Sequence, residues 1–247
     1  MRTCWATCLG DCSDKISGEH IITDGVFLVD AVNVKGLPWC LDEFKTIGLA
    51  SFVKNVLCVG HNSRLSEADA GAIQLRKAIC DSADLSESRK QMEPQSWRVE
   101  RFSVNGFALE RWCLKTLITI AFGGKIPIGD GDAPPGEPSR ALVETAFGLR
   151  QFQPPRAGLY WIEAGEIRAN EGVVVTTFSG HANRLEGARF RFWGLELLLV
   201  LNNGPTGPFG FTSPDGKQTI QPRTWYRPRR LNMSVHDRFS HILEFAW

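Results

Sequence analysis

The chain has 247 residues, of which 43% are hydrophobic and 22% charged, ordinary globular values that exclude a disordered chain, a collagen and a coiled coil. Its 28 basic and 27 acidic residues name no partner by overall charge. The charge is unevenly spread, however: residues 1–94 carry 10 basic and 13 acidic side chains, a net of −3, and residues 95–247 carry the other 18 and 14, a net of +4, which makes the second half the better place to expect a polyanion.

Residues 1–20 are loop-like and rich in Cys, Gly, Ser and Asp. Residues 21–34 hold β-branched side chains in partial alternation, which predicts strand, and Lys35-Gly36-Leu37-Pro38 predicts a turn. Phe44 to Leu49 is the candidate returning strand. Ser63 or Ser66, followed by Glu67 and Asp69, opens a helix that runs to about Cys80. Residues 81–95 are polar and read as a linker or solvated helix end, so a domain boundary is placed between residues 94 and 95. Beyond it, Trp97 to Val104 alternates like a strand, and Phe107 to Phe122 is an apolar helix ending at Gly123-Gly124. Pro127 to Pro138 is a loop, and Ser139 caps a helix over Ala141 to Leu149. Strands follow at Tyr160 to Ile162, Val173 to Phe178, Ala188 to Trp193 and Leu195 to Leu201, with Gly-Pro turns at 204–208. The longest apolar runs, Leu117 to Phe122 and Leu197 to Leu201, are too short for a bilayer, and Met1-Arg2-Thr3-Cys4-Trp5 lacks the apolar stretch of a secretory signal. No membrane contact and a cytoplasmic location are expected.

Seven cysteines, an odd number in a reducing compartment, argue against a disulfide framework. Cys4, Cys8 and Cys12 fall within nine residues at zinc-ligand spacing, and a structural zinc wants four ligands. Cys58-Val59-Gly60-His61 is the complement, giving a Cys3His structural zinc site built from two distant loops. Which of the three early cysteines bind is open. Cys40, Cys80 and Cys113 read as packed residues.

Glu19-His20 lies between the two halves of this site, and Asn55-Val56-Leu57-Cys58, His61 and Asn62 follow at the start of the helix. A Cys cluster, an acid-His pair and then N-x-L-C-x-x-H-N opening a helix resembles the motif of the HNH endonucleases, the ββα-metal finger, over about residues 4–80. The resemblance implies an N-terminal zinc-stabilised ββα-metal (HNH-like) finger, within the domain placed over residues 1–94, and an extended hairpin at roughly 26–50 accounts for the distance between its two strands. Residues 95–247 resemble no known family and read from their own pattern as a β-rich α+β domain, so the whole is expected to be α+β. The resemblance further implies hydrolysis of phosphodiester bonds, in DNA. Glu19 and Asn62 would hold a catalytic Mg²⁺ or Mn²⁺, His20 would be the general base, and Asn55 would orient the loop carrying the histidine. Oxygen donors suit such hard cations, while zinc takes the thiolates. An unperturbed imidazole, titrating near ~6.5, suits a base at neutral pH.

Two departures stand out. His20 and Asn62 lie 42 positions apart, and the second zinc pair is Cys-x-x-His, which leaves His61 open to either metal. Read singly, Asn55 could cap a turn and Asn62 with Ser63 could cap the helix. Arg64 is a phosphate candidate, as are Arg223, Arg227, Arg229 and Arg230, which interleave with Trp225 and Tyr226. Around Phe190 and Phe192 the competing reading is plain strand patterning, with Arg189 and Arg191 outside. Double-strand cleavage would imply a homodimer, and the second half could instead bind a protein partner. The alternative to a nuclease is a non-catalytic zinc-finger protein that binds nucleic acid or a protein.

Overall fold

The computed structural model describes residues 4–35, 40, 42–93, 95–129, 133–153, 157–162, 172–179, 184–201, 211–212, 219–220, 224–236 and 239–247. Arg223 and the turns at 204–208 lie outside these residues. Its first strand, β1 (Ile16–His20), pairs antiparallel with β4 (Val53–Cys58). The predicted β-branched segment is broken by a short turn at Asp24–Val26 and resumes as β2 (Ala31–Val34), which forms a hairpin with β3 (Lys45–Gly48). An extended hairpin therefore does separate the two strands, and Glu19-His20 ends the first strand instead of starting one. β4 feeds directly into α1 (Val59–Arg64), and α2 (Ser66–Lys90) follows.

α2 runs ten residues past its predicted end at Cys80 (90 − 80), through the stretch read as a linker. Ser82, Ser86 and Arg89 are buried there, because this part of the helix packs against the second half of the chain. That half begins with β5 (Glu100–Asn105) and α3 (Gly106–Ala121), close to prediction. α3 is buried on nearly every side, as expected of a helix apolar all round. Gly71 allows α2 and α3 to touch: a Cβ there would lie 2.5 Å from the backbone nitrogen of Leu109.

After α4 (Arg140–Ala146) come β6 (Gly158–Ile162), β7 (Val173–Ser179), β8 (Leu185–Phe192), β9 (Leu195–Val200), β10 (Phe211–Thr212), β11 (Thr219–Ile220), β12 (Thr224–Tyr226), β13 (Arg230–His236) and β14 (Phe239–Ala246). One five-stranded antiparallel sheet has the order β12-β6-β9-β8-β7, and a second sheet has the order β13-β14-β5, with β14 antiparallel to β13 and parallel to β5. The protein is thus mixed α+β. No described helix is long and apolar enough to cross a membrane.

The boundary at 94/95 does not separate two cores. One cluster of buried side chains runs from Trp5, Leu57, Leu75 and Ile79 through Trp112 and Leu117 to Phe190 and Leu199. Trp5 lies 5.7 Å from Phe147, and Trp112 lies 5.8 Å from Phe190, ring centre to ring centre. The physical reason is α3, whose largely apolar surface must be covered from both halves at once.

Candidate metal centre

Cys4, Cys12, Cys58 and His61 converge, with their Sγ and imidazole nitrogen atoms all within 4.8 Å of one another. His61 Nδ1 lies 3.4 Å from Cys4 Sγ, 3.6 Å from Cys12 Sγ and 3.2 Å from Cys58 Sγ. A tetrahedral zinc with Zn–S near 2.3 Å and Zn–N near 2.0–2.1 Å needs S···N separations of about 3.5 Å, so the donor set fits a structural zinc. Zinc here would be a cross-link between the chain start and the β4–α1 junction. The junction explains the Cys-x-x-His spacing. Cys58 caps α1, its sulfur accepting the His61 backbone N–H, and His61 sits one turn on, on the same face.

Local backbone positions the other two thiols. Trp5 N–H donates to Val56 O at 2.9 Å, laying Cys4 beside β4. A single turn at Thr7–Leu9, ended by Gly10 at φ +85°, reverses the chain and returns Cys12 to the cluster. Cys8 lies on that turn, is exposed, and is not among the donors that converge. All seven cysteines are free thiols.

His61 is fully buried, and with Nδ1 turned to the sulfurs its Nε2–H donates to Asp11 Oδ1 at 2.7 Å. The other Asp11 oxygen accepts from Arg64 at 2.6 Å, and the Arg64 guanidinium lies over Phe147. Arg64 is therefore engaged in holding Asp11. A carboxylate behind a ligating histidine fixes its tautomer and raises its basicity. The sequence reading missed Asp11, although an acid one residue before Cys12 was a signal for it. Burial pushes the Cys4 and Cys12 thiols up, Cys12 to about 12, where its sulfur neighbours add to the effect. At Cys58 burial also acts upward, but donors from His61 and Ser13 outweigh it and bring the thiol down to about 6.

The four residues assigned to chemistry behave differently. Glu19 and His20 are consecutive on a strand, so their side chains leave opposite faces. Glu19 takes the buried face, where it forms an ion pair with Lys115 of α3, while His20, opposite Val53, is half-buried. Asn55 is exposed on β4, at an irregularity in the ladder opposite Gly18, and its Oδ1 lies 3.6 Å from where a Gly18 Cβ would stand. Asn62 donates through Nδ2 to Ser17 Oγ at 2.9 Å. The structure thus aligns the β1–β4–α1 elements, but the Glu19 carboxylate is directed to an ammonium group and does not fit a divalent cation as arranged.

The basic tail is also spoken for in part. Arg227, with φ +39°, grips buried Glu110 at 2.7 and 3.1 Å and stacks over Phe107, Tyr226 and Trp247. Arg230 leans on Glu244 at 3.1 Å, and Arg229 is exposed. On β8 Phe190 is buried, as strand patterning predicts, and Arg189 and Arg191 both meet Glu196; the Phe192 side chain lies outside what is described. Lys54 donates to the last carbonyls of α3, Thr119, Ile120 and Phe122, at 3.0, 3.3 and 2.7 Å, where a cation suits the helix end.

Compared with protein-family models, with curated proteins and with solved structures, the chain shows no match.

Proposed function

We propose that the protein is an HNH-type endonuclease that hydrolyses phosphodiester bonds in DNA, built on a zinc-braced β–β–α unit and working in the reducing cytoplasm, where its thiols stay available to zinc. The observation that supports this is the order and pairing of the elements: Glu19-His20 on β1, Asn55 on the antiparallel partner β4, and His61-Asn62 opening α1 beside the Cys/His group. In this reading His20, on the outer face of β1, is the general base that takes a proton from the attacking water. Asn55 lies on the same outward side of the strand pair, whereas the Asn62 amide is bonded to Ser17, which strand alternation puts on the Glu19 face. Exposed Arg229 is the member of the basic tail best placed to meet a phosphate.

A plasmid-cleavage assay with Mg²⁺ or Mn²⁺ tests the reading. Wild type is expected to cut and to stop on EDTA, and His20→Ala to lose cleavage with its zinc content and melting temperature unchanged. Cutting by His20→Ala at the wild-type rate refutes the assignment.

The ion pair of Glu19 with Lys115 favours a second reading, a non-catalytic zinc-braced protein that binds nucleic acid or a protein partner. A salt-sensitive gel shift without cleavage under either cation decides for it.

A further inference from the structure

Lys115 is a buried ammonium in the middle of an apolar helix, with its side chain only 2% exposed. Burying a charge is costly unless it is paired, so its partners define its role. It forms an ion pair with Glu19, itself 3% exposed, and a second with Asp69 Oδ1 of α2 at 2.6 Å. The same Asp69 oxygen accepts the Thr23 hydroxyl at 2.5 Å, and Thr23 Oγ1 accepts the indole N–H of Trp112 at 2.9 Å. Trp112 is fully buried one turn before Lys115 on α3. Four segments are therefore joined in one buried network: the end of β1, the turn after it, α2 and α3.

We propose that Lys115 is the resident cation of this carboxylate pair, so that Glu19 is a structural counter-ion in this protein and not a divalent-cation ligand. A divalent ion on Glu19 would have to sit beside a fixed ammonium, whose repulsion acts at close range in a medium of low dielectric constant. Lys115 is held in the interior, its side chain 2% exposed between Glu19 of β1 and Asp69 of α2. Expelling it would leave an unpaired charge in the core. The inference does not depend on the nuclease reading: it concerns what occupies Glu19, and the test reads metal uptake and melting, not cleavage.

The test titrates Mn²⁺ into the zinc-loaded full chain, following free Mn²⁺ by electron paramagnetic resonance and stability by thermal melting. Glu19→Gln is expected to lower the melting temperature and to leave Mn²⁺ uptake as in wild type. Lys115→Gln, which removes the ammonium, is expected to gain one Mn²⁺ site and to melt higher with Mn²⁺ than without. The double variant Glu19→Gln/Lys115→Gln is expected to lose that site. A tenfold or greater loss of Mn²⁺ affinity in Glu19→Gln alone overturns the proposal, as does a folded Lys115→Gln that gains no Mn²⁺ site. If Lys115→Gln does not fold, Glu19→Gln still decides.

Discussion

Removing zinc should detach the start of the chain and leave the rest of the core standing. Ordering the nine residues from Cys4 to Cys12 costs about 9–18 kcal/mol at 1–2 kcal/mol of backbone entropy each. What that segment buries is chiefly Trp5, 3% exposed against Phe147. An indole hides roughly 200 Å², worth about 5 kcal/mol at 25 cal/mol per Å². The deficit, about 4–13 kcal/mol, is what a structural zinc worth about 10–16 kcal/mol can cover. The purified protein should therefore carry one zinc, and a strong chelator should open residues 4–12 to proteolysis and to hydrogen exchange while α3 and β9 stay protected. Cys58→Ser should reproduce the chelated state, and Cys8→Ser should bind zinc like wild type. Equal protection of residues 4–12 with and without zinc would refute this reasoning.

Three further outcomes follow from named contacts. Asp11→Asn removes the carboxylate behind His61 and should weaken zinc about 10–100-fold in a chelator competition, with the fold unchanged. Arg227→Ala leaves Glu110 charged and buried, and should cost about 3–5 kcal/mol in denaturant unfolding without reducing the salt dependence of any nucleic-acid binding. His241 is buried against Ser82, Arg89, Glu100 and Phe102, and burial, helped by Arg89, pulls its pKa below the usual imidazole value. A folded-state value below the unfolded one means that stability is fully present above ~6.5 and falls as pH drops through the range between the two. Chemical denaturation at pH 7.5 and pH 5 should show that loss, and His241→Gln should remove that part of the pH dependence.

The amino-acid sequence on its own determined the parts whose logic is local. Cys58 and His61 are legible because a helix cap and the residue one turn on share a face, and thiols and imidazole have few reasons to recur at that spacing. The hairpin between the two strands, the apolar α3 and the alternating β8 were legible because each is written as a periodicity. Only the tertiary structure chose Cys4 and Cys12 over Cys8, since a single glycine-ended turn decides which thiols return to the cluster. Only it set Lys115 on Glu19 and Arg227 on Glu110, pairs 96 and 117 positions apart (115 − 19 and 227 − 110) that no local spacing records. The sequence hinted that Glu110 and Lys115 needed partners, because charges inside an apolar helix cannot stay buried alone. Which charges would answer them depended on how β1, α2 and the tail close around α3. Long-range electrostatic pairing is a property of the packed core, and so it was the packing that decided what Glu19 holds.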